Sequence, residues 1–294
     1  MAERIAFIGF GEAGQTIGRG LIGEGVTGMR AYDILFDDAA DRGRLKRAAE
    51  TLGVAVARDH VDAVRGADLV ILAVTAGSSL EAARSCVPGL GAGQLFLDIN
   101  SVSPRRKLET AAALAPTGAR YVDVAVMGPV APYGHKVPLL IGGPGAQALL
   151  PRARALGMSA EYVSEEVGQP SAIKMFRSIM VKGMEALMVE CMLASTEYGV
   201  EDRVLASLAE TYPGLDWQRL SGYMIERVVS HGRRRAEEMR EVAATVREAG
   251  IEPLMASATA ARQQWVADLG VGRRLGAKTE ERGALVAAIR TVRA

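Results

Sequence analysis

Residues 4–9, RIAFIG, run without interruption into Gly9-Phe10-Gly11-Glu12-Ala13-Gly14 and then into QTIGRGLIGEG. A short apolar run without alternation is the pattern of a strand covered on both faces. A G-x-G-x-x-G turn joining that strand to a helix brings the backbone close to a pyrophosphate, with the helix amides facing the phosphates. Gly9 serves the tight turn, Gly11 the close approach and Gly14 the packing of helix on strand. Gly9, Phe10, Gly11, Glu12, Ala13 and Gly14 are therefore the candidate cofactor loop.

The segments that follow extend the same plan. The run MRAYD ends at Asp33, where a carboxylate is placed to accept hydrogen bonds from adenosine ribose hydroxyls, although acids also favour turns. The carboxylate also repels a 2′-phosphate, so NAD is the expected cofactor and NADP the alternative. Arg42, Arg44 and Lys46 read as part of a solvated helix. After Val54-Ala55-Val56, the run from Asp68 to Thr75 is a buried strand, and Val74 and Thr75 at its carboxyl end form an expected cofactor wall. Leu95 to Ile99 is another strand, ending in Asn100-Ser101-Val102-Ser103-Pro104. Ser103 reads as the N-cap of a helix opened by Pro104. Asn100 and Ser101 fit either a loop or a pocket that holds a substrate hydroxyl or carboxylate. Tyr121 to Pro129 contains a strand entering a turn at Met127-Gly128-Pro129, Pro138 to Gly142 one more strand, and Ala146 to Leu156 a helix. Strands alternating with helices predict a Rossmann-type, doubly wound, mostly parallel sheet over residues 1–165.

From Gly168 to Gly199 the pattern changes to one helix of about 45 Å at 1.5 Å per residue. Ile173, Phe176, Met180, Met184, Leu187 and Cys191 form one apolar stripe, and Met175, Ile179, Ala186 and Leu193 a second beside it. A helix apolar over so much of its circumference is expected to be buried. Lys174, Ser178 and Glu185 interrupt it as a polar wedge flanked by Arg177 and Lys182. Lys174 either snorkels to solvent or pairs with an acid, or it serves the chemistry of a cofactor held by the first domain.

Beyond Gly199 the segments 201–210, 215–230, 232–249, 253–268 and 280–292 read as helical, making residues 166–294 an all-α domain that follows a long interdomain helix. Within it, His231-Gly-Arg233-Arg234-Arg235 is either a solvated face with Arg233–Glu237 and Arg234–Glu238 pairs, or a source of His231 and one arginine for an anionic substrate. Trp217, Tyr223 and Trp265 read as core or dimer contacts. A net charge of +1 supplies no field for nucleic acid or acidic lipid. Cys86 and Cys191 sit in apolar helical patterns without metal spacing, as buried free thiols, and no metal is expected. The first strand begins at residue 4 and no apolar run approaches a membrane span, so the expectation is a cytoplasmic protein.

Taken together, these segments resemble the β-hydroxyacid dehydrogenase superfamily, which includes 3-hydroxyisobutyrate and 6-phosphogluconate dehydrogenases. The likeness covers residues 4 to about 195. Gly9 to Gly14 match its nucleotide loop, Asp98 to Pro104 its D-x-S-T-x-x-P segment, and Gly168 to Ser178 its G-x-G-x-x-x-K-x-x-N-N signature. The resemblance implies Lys174 as general acid/base and Asn100, Ser101, Met127, Gly128, Arg177 and Ser178 around the substrate, to which the sharper reading of the arginine run adds His231. Met127 replaces a substrate-binding serine, Arg177 and Ser178 replace the paired asparagines, and Pro170 replaces the second glycine. The helical tail resembles a phosphogluconate-dehydrogenase-like branch. The implied function is hydride transfer between a nicotinamide cofactor and a hydroxy acid or related alcohol, and the long apolar helix and helical tail lead to the expectation of a homodimer. Oxidative decarboxylation of a 3-hydroxy acid and a non-catalytic dinucleotide sensor are the alternatives.

Overall fold

The computed structural model describes residues 3–36, 38, 42–275 and 279–293, apart from the side chains of Arg42 and Arg293. The expectation placed on the Arg42 side chain thus lies outside the described residues. The chain divides into two compact units, Met1–Lys174 and Met175–Ala294.

The first unit is one eight-stranded sheet. Its strands are β1 (Arg4–Ile8), β2 (Gly28–Tyr32), β3 (Ala55–Val56), β4 (Leu69–Leu72), β5 (Leu95–Asp98), β6 (Arg120–Val126), β7 (Leu139–Gly142) and β8 (Ala160–Ser164). Their order is β3-β2-β1-β4-β5-β6-β7-β8, with every pairing parallel except β6 with β7. Successive residues of β1 point to opposite faces. Ile5 and Phe7 join one apolar core with Met29, Leu97 and Ile141, whereas Ala6 and Ile8 join the other with Val70, Leu72 and Phe96. Both faces are buried, which is why these strands read as continuous apolar runs rather than alternating ones.

Helices α1 (Glu12–Gly23), α2 (Arg42–Thr51), α3 (His60–Val64), α4 (Ser79–Cys86), α5 (Pro104–Leu114), α6 (Val130–Tyr133) and α7 (Ala146–Ala155) connect the strands. Arg44 and Lys46 on α2 are exposed. Ser103 caps α5 by accepting from the Arg106 amide at 3.3 Å. β8 has no counterpart among the strands expected from sequence. It is a half-exposed edge strand, AEYVS, whose composition carries no buried-strand signal.

Helix α8 (Gln169–Glu197) contains the boundary between the units, and α9 (Glu201–Thr211), α10 (Trp217–Glu248), α11 (Leu254–Asp268), α12 (Val271–Arg274) and α13 (Arg282–Arg293) follow. The described residues of the second unit contain no strand.

Two expectations need correction. Helix α10 runs unbroken through Gly232, where a break between 230 and 232 was expected. Gly232 instead lets α11 approach, since a Cβ there would lie 2.7 Å from the Gln263 carbonyl oxygen. The second correction concerns α8, which is not buried all round. Met175, Ala186 and Leu193 are buried, but Ile173, Phe176, Met180, Met184 and Leu187 are exposed. Of the two free thiols, Cys86 is buried and burial pushes it up to about 12, while Cys191 is half-buried.

Candidate active site

The order of strands reverses between β1 and β4, and the crevice outside their carboxyl ends is where doubly wound sheets bind ligands. The glycine loop lies there. Gly9 has φ +89°, and a Cβ on it would lie 2.3 Å from the Ala73 carbonyl oxygen, so no other residue fits. A Cβ on Gly14 would lie 2.8 Å from the Gly9 carbonyl oxygen, while one on Gly11 would meet nothing within 4 Å. The turn is closed beneath and open above. No side chain caps α1 at Gly11, which leaves its first-turn amides available to an anion. This cradle fits a dinucleotide pyrophosphate.

Phe10 contributes only its backbone to that surface. Its ring is fully buried and meets Phe7 edge-on at 5.6 Å between centroids. The Phe10 amide donates to Asp33 Oδ2 at 2.7 Å, and the Leu35 amide donates to Asp33 Oδ1 at 2.9 Å. Asp33 thus latches the glycine turn to the end of β2. Each carboxylate oxygen keeps a further lone pair. Beyond it Ile34 and Leu35 are 63% and 37% exposed, an apolar surface that reading the sequence passed over. Its signal was an apolar pair directly after a strand-ending acid.

The ends of β4 and β5 are tied together. The Val74 amide donates to Asn100 Oδ1 at 2.9 Å, and the Asn100 amide and side-chain nitrogen donate to Asp98 Oδ1 at 3.0 and 2.7 Å. Thr75 is exposed. Lys174, in the second turn of α8, donates from Nζ to Ser101 Oγ at 2.5 Å. Met127 is half-buried, with its amide donating to the Pro138 carbonyl oxygen at 2.9 Å, and Gly128 follows it.

Beneath this surface lies a fully buried lysine that sequence reasoning missed. Lys107 Nζ sits 3.2 Å from Asp98 Oδ1 and 3.4 Å from Asp123 Oδ1, and donates to the Asp98 carbonyl oxygen at 2.6 Å. Asp98 Oδ2 accepts from the Tyr121 hydroxyl at 2.7 Å. Burial, with Asp98 and Asp123 adding to it, holds that phenol well above its ordinary range. Asp123 in turn accepts from the Gly168 and Ser171 amides at 3.0 and 3.3 Å and from Ser171 Oγ at 2.7 Å. One ammonium therefore joins the end of β5, which positions Asn100, to the start of α8, which positions Lys174. Within PRRKLE, Lys107 shares a helix face with Thr110 and Leu114, both buried. That periodicity was the available signal.

Arg177, Ser178 and His231 belong to the second unit. Arg177 is exposed and Ser178 buried. His231 is half-buried, and burial, then Arg227 and Arg234, pull its pKa down. The arginine run is divided. Arg233 pairs with Asp268 of α11 at 3.5 Å rather than with Glu237, because α11 packs on that side, while Arg234 lies 4.0 Å from Glu238. Arg235 is buried and pairs with Glu185 at 2.7 Å, beside Lys182 paired with Glu238 at 2.5 Å. Burial raises Glu185 to about 7 against the opposing charges of Arg235, Arg227 and Lys182. No group of three or more metal-ligating side chains occurs among the described residues, and no described helix is long and apolar enough to cross a membrane.

A glycine cradle at the switch point of a doubly wound sheet, with a helix-borne lysine held to the β5 end, defines the dinucleotide-dependent oxidoreductase class. Residues 4–101 match the family described as NADP oxidoreductase coenzyme F420-dependent, and residues 196–266 match a domain of unknown function, DUF1932. A conserved hypothetical protein from Sinorhizobium meliloti 1021 has a structure similar to this one at a TM-score of 0.80, with 37% identity over 99% of this chain and 97% of its own. A second conserved protein, described as structurally similar to 3-hydroxyacid dehydrogenases, is 30% identical at a TM-score of 0.73, covering 93% of this chain and 99% of its own. An NAD-dependent L-serine dehydrogenase of Pseudomonas aeruginosa is 26% identical over 73% of this chain and 72% of its own. The chain belongs to the β-hydroxyacid dehydrogenase superfamily, a family of NAD(P)-dependent oxidoreductases.

Proposed function

We propose that this chain transfers hydride between the CH–OH carbon of a small hydroxy acid and a nicotinamide dinucleotide, NAD in preference to NADP, with Lys174 as general acid/base. The observation that carries this reading is the Lys174–Ser101 hydrogen bond, which fixes a lysine beside the polar end of β5. When bound, the nicotinamide supplies the hydride acceptor or donor. The Gly9–Gly14 turn and the first amides of α1 would hold the pyrophosphate, Asp33 the ribose, and Ile34 and Leu35 an apolar face of the adenine. Val74, Thr75 and Asn100 would wall the nicotinamide end. Oxidising an alcohol requires its hydroxyl proton to leave as carbonyl character develops. Lys174 Nζ would take that proton in one direction and return it in the other, which is worth about 10²–10⁴-fold in rate. Ser101 holds the lysine and would share a hydrogen bond with the substrate oxygen. Met127 and Gly128 would border the substrate side group, and the thioether favours a more apolar group than a serine there would. The Pseudomonas relative makes L-serine and short 3-hydroxy acids the first substrates to test.

The test is a panel of such acids read by NADH or NADPH absorbance, with Lys174→Met alongside. The variant is expected to bind NAD as the wild type does and to turn over at least about 100-fold more slowly. Turnover near the wild-type rate ends the proposal. The same reading includes a homodimer.

A further inference from the structure

Asp98 and Asp123 are register partners across the β5–β6 ladder, so their carboxylates stand side by side, with the Lys107 ammonium between them. Adjacent like charges in a low dielectric repel strongly, and a buried ion triad is on balance no more stabilising than well-packed apolar residues of similar volume. What apolar residues could not supply is a fixed arrangement of several chain segments. We propose that Lys107 is a positioning residue that sets the Lys174 amine against Ser101, by locking the end of β5, the first turn of α5 and the start of α8 together. The inference rests on the reading of Lys174 as the proton-transfer group.

The bonds around the triad form a closed circuit within the first unit. All three donors of the ammonium are engaged, two by Asp98 through its carboxylate and carbonyl oxygens and one by Asp123. Asp98 Oδ1 also accepts from the amide and side chain of Asn100, which fixes the residue before Ser101. Asp123 grips Gly168 and Ser171, and Ser171 lies one helical turn before Lys174. The two helix starts also touch, since a Cβ on Gly168 would lie 3.1 Å from the Pro104 Cβ. The Lys174–Ser101 hydrogen bond closes the circuit on the side away from the ammonium. With the ammonium withdrawn, the two acids push β5 and α8 apart, and the lysine leaves Ser101. A displacement of about 1 Å in a reacting group costs about 100-fold in rate.

Steady-state kinetics on the full chain test the inference, together with the rate at which dinitrofluorobenzene arylates Lys174, followed by peptide mass spectrometry. In folded Lys107→Met, kcat is expected to fall by about 100-fold with NAD affinity unchanged. Arylation of Lys174 is expected to quicken severalfold as the amine leaves Ser101. The ratio of variant to wild-type kcat is expected to rise as the pH falls from about 8 to about 6, because one of the two facing carboxylates then takes up a proton. Loss of packing alone gives a ratio that does not follow pH. Tyr121→Phe and Ser171→Ala keep the ammonium and carry the test if Lys107→Met does not fold. Each removes one hydroxyl, from Asp98 and Asp123 respectively, so the two sites meet only through the triad. Their effects on kcat are expected to depart from multiplicativity by a factor of about two or more. Wild-type kcat in folded Lys107→Met, a ratio independent of pH, or multiplicative effects in the double variant would overturn the proposal. A wild type that oxidises no hydroxy acid, with arylation still altered in the variants, counts against the dehydrogenase reading alone, and unchanged arylation counts against the positioning role.

Discussion

Lys107 is a fully buried ammonium in the first unit. Two buried carboxylates, Asp98 and Asp123, share its ammonium, and removing one partner from such a group leaves uncompensated charge in a low dielectric. Lys107→Met is expected to lower stability by about 3–5 kcal/mol, measured by urea denaturation. A loss under about 1 kcal/mol would show that water reaches the two acids. Glu185 presents a different case. Its folded pKa of about 7 stands above the ordinary 4.5 because burial outweighs Arg235, so between those values the folded chain keeps a proton that the unfolded chain releases. Its contribution to stability is present below the unfolded value and is lost as pH rises through the folded one. The melting temperature of Glu185→Gln relative to wild type should therefore climb from about pH 4.5 to about pH 8. A constant difference would mean that the pair with Arg235 keeps the carboxylate ionised throughout.

Among the elements, α10 and α11 depend on a missing side chain. With the Gln263 carbonyl oxygen 2.7 Å from the position of a Cβ, Gly232→Val forces the helices apart, and overpacking of this kind costs about 1–3 kcal/mol. Thermal unfolding should show the drop, whereas Gly23→Ala, with nothing within 4 Å of the new methyl, should not. The same glycine explains where the sequence misled. A glycine beside a run of charges reads as a helix break, and only the neighbouring helix reveals it as a contact. β1 and its glycine turn were legible because their determinants are adjacent in the chain. The two stripes of α8 look alike in periodicity, and which one is covered depends on residues such as Met239 and Ala260 that lie far along the chain.

At the scale of the whole molecule, the chain divides into compact units at Lys174, inside α8 rather than before it. The chemical reason is that the start of α8 hydrogen-bonds into the first unit through Gly168, Ser171 and Lys174. Local motifs pointed to the glycine turn, to Asp33 and to the lysine. The shared ammonium of Lys107 and the partition of the arginine run required the folded chain. The double grip of Asp33 on the Phe10 and Leu35 amides also bears on engineering. Exchanging that acid for a neutral or basic residue is the obvious first move in retooling an enzyme toward the phosphorylated nucleotide, yet here it would release the turn proposed to seat either nucleotide. A workable route would keep the acid and add a cation at Ile34, so that nucleotide preference changes while the hinge pin beneath it stays in place.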